Sequence, residues 1–270
     1  MIRRVLAFSL PLGLAAIVGT LNIEIDKLML GHLLSTADLA IYANAAKELP
    51  LTIVATSLTA VLMPKMVRLF QQQKNEEAVA IWRDVTTISY AIMAFFAIGM
   101  AAFSTEAMVI LYSGKYAPGG PVFAVYSLGL LLRCTYFGIV LNTTGRTKTI
   151  LLCSVGSLLL NAALNYLLYL LLGVIGPAIA TLLATLIMGL LQLVMSSRQL
   201  QIPFRHIFPW RSMAVLTLVN LTLGAVFLFI HRTVFPGEWQ AVVLAAAWGL
   251  VYAAVLYRPG RIYWQKLRKE

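Results

Sequence analysis

Four polar side chains stand together near the end of the first apolar run of the sequence, in the stretch TLNIEIDKLMLG. They are Asn22, Glu24, Asp26 and Lys27. An ionisable residue inside a membrane span is costly, so its presence indicates a substrate or ion site. Lys27 follows Glu24 by one helical turn, which is close enough for mutual neutralisation. Asn22 and Asp26 also lie one turn apart and therefore share a helix face.

A simpler interpretation places these groups at the outer interface of the membrane. The run from Val5 to Ile23 is already long enough, as a helix, to cross about 28 Å. The apolar pattern resumes at Leu28, directly after the charges. That return favours a position within the membrane, facing protein or water.

A second polar group stands in the next apolar run, IYANAAKELPL. Asn44, Lys47 and Glu48 share one helix face just before Pro50, and a proline inside a span frees a carbonyl that needs protein or water nearby. Arg133 lies deep in another apolar run, so its side chain would have to extend a long way to reach the membrane interface. A cavity-lining role is therefore favoured. The residues predicted to line a substrate cavity are Asn22, Glu24, Lys27, Asn44, Lys47, Glu48 and Arg133.

Oxygen-bearing side chains recur in two later runs. Asn161 and Asn165 are one turn apart in LLLNAALNYLL, and Thr181 follows Pro177 by one turn in GVIGPAIAT. With the carboxylate of Asp26, such oxygens suit a hard monovalent cation. The possible cation site therefore consists of Asp26, Asn161, Asn165 and Thr181. An asparagine pair that only joins two helices by hydrogen bonds fits the spacing equally well.

Motifs for catalysis are absent from the sequence. Gly114-Lys115 lacks the earlier glycine of a phosphate-binding loop. The three histidines stand apart without metal-ligand spacing, and no serine or cysteine stands in a nucleophile elbow. We therefore expect no enzyme and no bound metal cofactor.

The elements that must position these residues are transmembrane helices. The chain has 270 residues, of which 60% are hydrophobic and only 11% charged, whereas a soluble domain is about a quarter charged. Repeated apolar runs near the length of a bilayer crossing predict an all-α polytopic transmembrane helix bundle with about eight spans. The predicted spans cover residues 5–30, 39–63, 85–104, 119–141, 149–172, 174–196, 212–231 and 239–257.

Positive charge predicts the orientation of these spans. The sequence has 21 lysines and arginines, and between the spans nearly all fall in alternate connections, with only Lys115 and Arg232 on the opposite side. Such sorting predicts that both termini are cytoplasmic. It also explains the net charge of +11 by contact with anionic membrane lipid rather than nucleic acid. Residues 67–84 are expected to hold a short interfacial helix, or else a solvated loop, and residues 113–121 a tight external turn.

At these residues the sequence resembles a known family. The shared features are the Asp-Lys-x-x-Leu-Gly ending at Asp26–Gly31, the exit at Pro64, the turn LNTTGRTKT and the helix start GVIGPAIATL. They resemble the polysaccharide flippases of the multidrug/oligosaccharidyl-lipid/polysaccharide exporter superfamily, which are related to the lipid II flippases. No single motif is highly specific, but their order and spacing are.

The resemblance implies a fold with two six-helix lobes around a central cavity. This chain is similar to the second lobe over residues 1–200, followed by two additional transmembrane helices and a basic cytoplasmic tail over residues 201–270. The expected partner is therefore a missing N-terminal lobe or a second copy of this chain, because the chain could be a fragment, half of a split gene, or a half that dimerises with itself.

The resemblance also implies a function. Such flippases move an undecaprenyl-pyrophosphate-linked oligosaccharide across the bacterial cytoplasmic (inner) membrane during cell-surface polysaccharide biosynthesis, and Lys27, Lys47 and Arg133 would supply positive charge to the pyrophosphate. A coupling Na+ or H+ is the only expected cofactor. The alternatives are a cation-coupled drug exporter of the same superfamily and a non-transporting scaffold in a glycan-assembly complex.

Overall fold

The fold was analysed in a computed structural model. It describes residues 2–47 and 50–267, and within them the side chains of residues 5–257. All regular elements in these ranges are helical. The α-helices are α1 (Ile2–Leu30), α2 (Thr36–Ala45), α3 (Ile53–Gln71), α4 (Asn75–Ala102), α5 (Ser104–Tyr112), α6 (Gly120–Gly129), α7 (Ile139–Thr143), α8 (Thr147–Leu172), α9 (Ile175–Leu200), α10 (Phe204–Ile207), α11 (Trp210–Thr233) and α12 (Glu238–Leu267).

Seven stretches of these described residues are helical, long and apolar enough to cross a membrane. They are α1, the α2–α3 stretch, α4, α8, α9, α11 and the part of α12 up to Tyr257. The predicted all-α, multi-span architecture is confirmed.

The predicted span 119–141 is the exception, because it is not one continuous helix. Helix α6 is followed by a 3-10 turn at Leu130–Arg133, and α7 begins only at Ile139. Phe123 packs at one end of the bundle, in a cluster with Leu30 and Tyr42. Ile139 packs at the other end with Met66 and Trp82. The segment therefore passes through the bundle, but it is broken halfway, and irregular backbone at this depth is tolerated only beside protein or water.

The second predicted span, 39–63, is also interrupted, as expected from Pro50. Helix α2 ends at Ala45, a short 3-10 turn covers Pro50–Thr52, and α3 starts at Ile53. Glu48 lies outside the described residues.

The expected interfacial helix within residues 67–84 is wrong. Helix α3 continues to Gln71 and α4 begins at Asn75, so Asn75–Asp84 forms the first turns of a long helix. Val79 and Trp82 are buried against α3 and α7, in the same cluster as Met66 and Ile139. Their apolar side chains therefore pack against protein and not against the membrane surface. Residues 113–121 hold a short 3-10 helix, Gly114–Gly119, preceded by the unpredicted α5.

Helices α1, α8 and α9 pack together as one layer. Ala15 shares a cluster with Ile150 near the start of α8, while Leu30 and Tyr169 share the cluster at the other end. Helices α1 and α8 therefore run in the same direction. Helix α9 returns after a tight turn, where Gly173 has a φ of 64° and a Cβ on Gly176 would lie 2.1 Å from the carbonyl oxygen of Leu168.

The last two long helices pack against α4. Tyr90 and Met93 of α4 share one apolar cluster with Leu216 of α11 and Trp248 of α12. The Tyr90 hydroxyl lies 2.5 Å from the Thr217 hydroxyl, and the Tyr252 hydroxyl donates to the carbonyl of Ala91 at 2.9 Å. Polar contacts as well as apolar ones thus join α11 and α12 to the rest of the chain.

Candidate transport cleft and ion site

A buried hydrogen-bond network joins α1, α8 and α9. The side-chain amide of Asn161 donates to both the carbonyl oxygen and the side-chain oxygen of Asn22, each at 3.1 Å. The amide of Asn22 donates to Ser157 at 3.4 Å, and Thr181 donates to the side-chain oxygen of Asn161 at 3.4 Å. Asn161 is fully buried. Hence the three helices that carry the predicted cation ligands do meet.

Asp26 lies one turn beyond Asn22 and is also fully buried. Its Oδ2 atom accepts hydrogen bonds from two hydroxyls, that of Tyr42 at 2.7 Å and that of Tyr126. Its Oδ1 atom accepts from the backbone N–H of Lys27 at 2.8 Å. The carboxylate is therefore held by α2 and α6 as well as by its own helix.

Asn165 occupies the matching position on α8. It lies one turn beyond Asn161, and because α1 and α8 run in the same direction it stands at the level of Asp26. Its side chain is fully buried, yet neither amide atom has a hydrogen-bond partner in the described part of the chain. Buried amides are nearly always partnered. An unsatisfied amide oxygen level with a buried carboxylate, beside further oxygens on Asn161 and Thr181, fits a hard monovalent cation.

A cleft of about 690 Å³ opens between α1, α3 and the broken α6–α7 segment. Thr52, Thr56 and Thr59, at helical spacing, bring three hydroxyls to its lining, and Arg133 lines it from the broken α6–α7 segment. The irregular backbone after Arg133 contributes Thr135 and the start of the segment that leads to α7. This is the water-accessible surface that such backbone requires inside a membrane.

A narrow recess of about 40 Å³ adjoins the cleft and shares Thr52 and Arg133 with it. Lys47 lines the recess as well, so two positive side chains border the same space. Tyr126 and Thr181 also line it. The recess thus reaches from the two cations to the residues around Asp26.

The other predicted cavity residues that the structure describes do not line this space. Glu24 and Lys27 form an ion pair of 2.7 Å on the more exposed side of α1, as their spacing predicted. Asn44 donates to the carbonyl of Ala40 in its own helix at 2.8 Å. Asn22 belongs to the buried network with Asn161. Of the predicted cavity set, Lys47 and Arg133 come together, and the position of Glu48 is not described.

Several site residues escaped the sequence analysis. Tyr42 and Tyr126 are far apart in the chain, and nothing in the local pattern connects either of them to Asp26. The threonines of the cleft wall were detectable, because Thr52, Thr56 and Thr59 recur at helical spacing in an otherwise apolar run. A search for hydroxyl residues on one face would have found this wall.

The sequence also matches a family of known proteins. The sequence model described as lipid II flippase MurJ matches residues 3–254, which is most of the chain. The chain belongs to the MurJ lipid II flippase family. The predicted resemblance to flippases of this superfamily is confirmed, and MurJ family proteins are transporters with multi-pass membrane folds.

Two relatives extend this finding. A solved structure titled lipid II flippase MurJ, inward closed conformation, shares the fold with a TM-score of 0.69 at 18% identity, over 91% of this chain and 52% of that chain. The capsular polysaccharide biosynthesis protein CapF of Staphylococcus aureus is 27% identical over 144 residues, which is 53% of this chain and 36% of that protein. The chain thus spans about half the length of the MurJ structure it matches.

Proposed function

We propose that this chain forms part of a flippase that carries a polyprenyl-pyrophosphate-linked oligosaccharide across the bacterial cytoplasmic membrane. The supporting observation is the membrane-embedded space bordered by both Lys47 and Arg133. Membership of the MurJ family and the similarity to a capsular polysaccharide protein point to the same class of cargo.

The chemistry of the cargo explains the residues. A pyrophosphate carries negative charge into a region where water is scarce, so it needs cations close by. Arg133 offers a planar fork of donors, and Lys47 a compact charge that adapts to moving oxygens. The hydroxyls of the α3 threonines suit the sugar hydroxyls, while the polyprenyl tail remains in the lipid.

A complete transport path requires more protein than this chain provides. We propose that a second lobe, from another polypeptide or from a second copy, covers the open side of the cleft. Two lobes that rock against each other would expose the cleft first to one side of the membrane and then to the other. In this arrangement both termini of the chain face the cytoplasm.

We further propose that transport is coupled to a monovalent cation bound at Asp26. The unpartnered amide of Asn165, level with this carboxylate, supports the position. Sodium is the cation that the oxygen ligands favour, and a proton on Asp26 is the alternative.

Glycan export in cells tests the proposal. Lys47→Ala and Arg133→Ala should each abolish export in the assembled transporter while membrane insertion stays normal, because each removes a positive charge that would contact the pyrophosphate of the cargo. Lys115→Ala, which removes an exposed lysine outside the cleft, is the matched control and should export normally. Normal surface glycan in both cleft variants would contradict the proposed function.

A further inference from the structure

Tyr126 contacts both the buried carboxylate and the open space. Its hydroxyl donates to Asp26, and its side chain lines the recess that also contains Lys47 and Arg133. Among the described side chains that donate to Asp26, Tyr42 is the other, and it is 1% exposed and does not line the recess. Tyr126 is thus the direct physical connection between the candidate ion site and the cleft.

The two tyrosines compete for one atom. Both hydroxyls donate to Oδ2 of Asp26, and their own oxygens are 3.4 Å apart. A sodium ion bound to Oδ2 takes up a lone-pair direction of that oxygen and repels the hydroxyl hydrogens that point at it. A cation that binds at Oδ2 therefore displaces one of the two hydroxyl donors from that atom.

The surroundings decide which hydroxyl leaves. Tyr42 is enclosed in the Leu30 cluster, and its ring makes an edge contact with Tyr126 at a centroid distance of 6.4 Å. Tyr126 is only partly buried and borders free space. Thr181 lines the same recess, and its hydroxyl oxygen offers an alternative acceptor. Tyr126 therefore has both room and a partner for a second position.

We propose that Tyr126 transmits the binding of sodium at Asp26 to the substrate cleft. Sodium displaces the Tyr126 hydroxyl from Asp26 towards Thr181, and the ring moves within the recess beside Lys47 and Arg133. Because the recess is small, about 40 Å³, a shift of one ring changes its shape and its access. This inference rests on the proposed ion site, and it assigns to Tyr126 a positioning role and not a contact with the cargo.

The reporter for this movement is a cysteine in the recess. Thr185→Cys places a thiol on its wall, and both native cysteines are buried. The alkylation rate of the purified full chain by a charged thiol reagent is measured in sodium and in N-methylglucamine at equal pH and ionic strength. We expect sodium to change this rate severalfold.

Two single-atom variants separate coupling from binding. Tyr126→Phe and Tyr42→Phe each remove one donor from Asp26, so both should shift the sodium concentration that gives half of the increase in thermal stability. Only Tyr126→Phe should abolish the change in alkylation rate, while sodium still raises its thermal stability. Tyr42→Phe should keep the change.

Three results would overturn the inference: no sodium effect in the parent protein, an undiminished effect in Tyr126→Phe, or equal loss in both variants. If Tyr126→Phe does not fold, Thr181→Val provides the test at a sodium concentration that saturates its thermal stabilisation, so that weaker binding is compensated: removal of the alternative acceptor should still reduce the change in alkylation rate, and an unchanged response would contradict the proposal. The measurement uses no glycan substrate, so a failure of the proposed flippase function would not be confused with a failure of this coupling.

Discussion

Asn22 and Asn161 form one level of polar contact between α1 and α8, and Asp26 and Asn165 stand one helical turn beyond it. The level of Asn22 and Asn161 is satisfied by hydrogen bonds, whereas the level of Asp26 and Asn165 contains an unpartnered amide. The four-residue spacing in the sequence predicted that Asn22 and Asp26 share one face of α1 and that the two asparagines share one face of α8. Both asparagines of α8 are indeed buried. The tyrosine partners of Asp26 were not predictable, because they depend on how distant helices pack.

This difference between the levels predicts a sodium effect on stability. Sodium at roughly a hundred times its dissociation constant should stabilise the protein by about 2.7 kcal/mol if it binds only the folded state. Asp26→Asn should lose this increment, because it removes the full negative charge, and Asn165→Ala should weaken it. Thermal unfolding of the purified chain with and without sodium measures the effect.

Asn220→Ala is the control, since Asn220 is a fully buried asparagine of α11 outside the candidate site. It should lower stability equally in both solutions. If Asp26→Asn and Asn220→Ala behave alike, the asparagines of α8 serve only to pack helices.

At the scale of the elements, hydropathy located the apolar segments but not their interruptions. Residues 119–141 are apolar enough to read as one span, yet the helix breaks around Arg133. A window average cannot detect this, because the break is stabilised by tertiary contacts such as the Trp82 indole N–H donating to Thr135 at 2.9 Å. Pro50 predicted the other interruption correctly, since proline acts on its own backbone.

The break predicts where water enters the bundle. Cysteines at Thr56 and Thr135, which line the cleft, should react with a membrane-impermeant thiol reagent in the assembled transporter. A cysteine at Leu159, an exposed apolar position on α8, should remain unreactive because lipid covers it. Equal protection of all three positions would show that the cleft holds no water.

The close packing of the turn between α8 and α9 predicts that one added methyl group, at Gly176, lowers the stability of the protein. A Cβ on Gly176 would lie 2.1 Å from the Leu168 carbonyl oxygen, so Gly176→Ala must displace the backbone and should cost roughly 1–3 kcal/mol. Gly13→Ala is the matched change in α1, where a Cβ meets nothing within 4 Å. It should be neutral or slightly stabilising. Thermal unfolding compares the two, and equal stability would contradict the tight turn.

At the scale of the whole molecule, composition and charge were sufficient for the class of protein. The shortage of charged residues predicted a helical membrane bundle, and the fold agrees with it. The division at residue 200 stays a prediction, and one apolar cluster contains side chains from both sides of it. The identity of the substrate and of the second lobe could not be predicted from the residues of this chain alone, because the chain contributes only one wall of the cleft.

The orientation of the molecule is predicted from the alternation of its basic connections. Reporter fusions after Tyr116 and after Phe235 should read as external, and fusions in the connections at residues 72–74 and 201–203 should read as cytoplasmic. A cytoplasmic signal at either of the first two sites would contradict the proposed orientation of the chain.

The contacts of α11 and α12 with α4 have a consequence for how the protein is made. Helix α4 is synthesised long before the helices that supply the partners of Tyr90 and the carbonyl of Ala91. Until Thr217 and Tyr252 leave the ribosome, these groups sit in the bilayer without their final hydrogen bonds. The hydrogen bonds that join α4 to α11 and α12 therefore form only when translation is nearly complete.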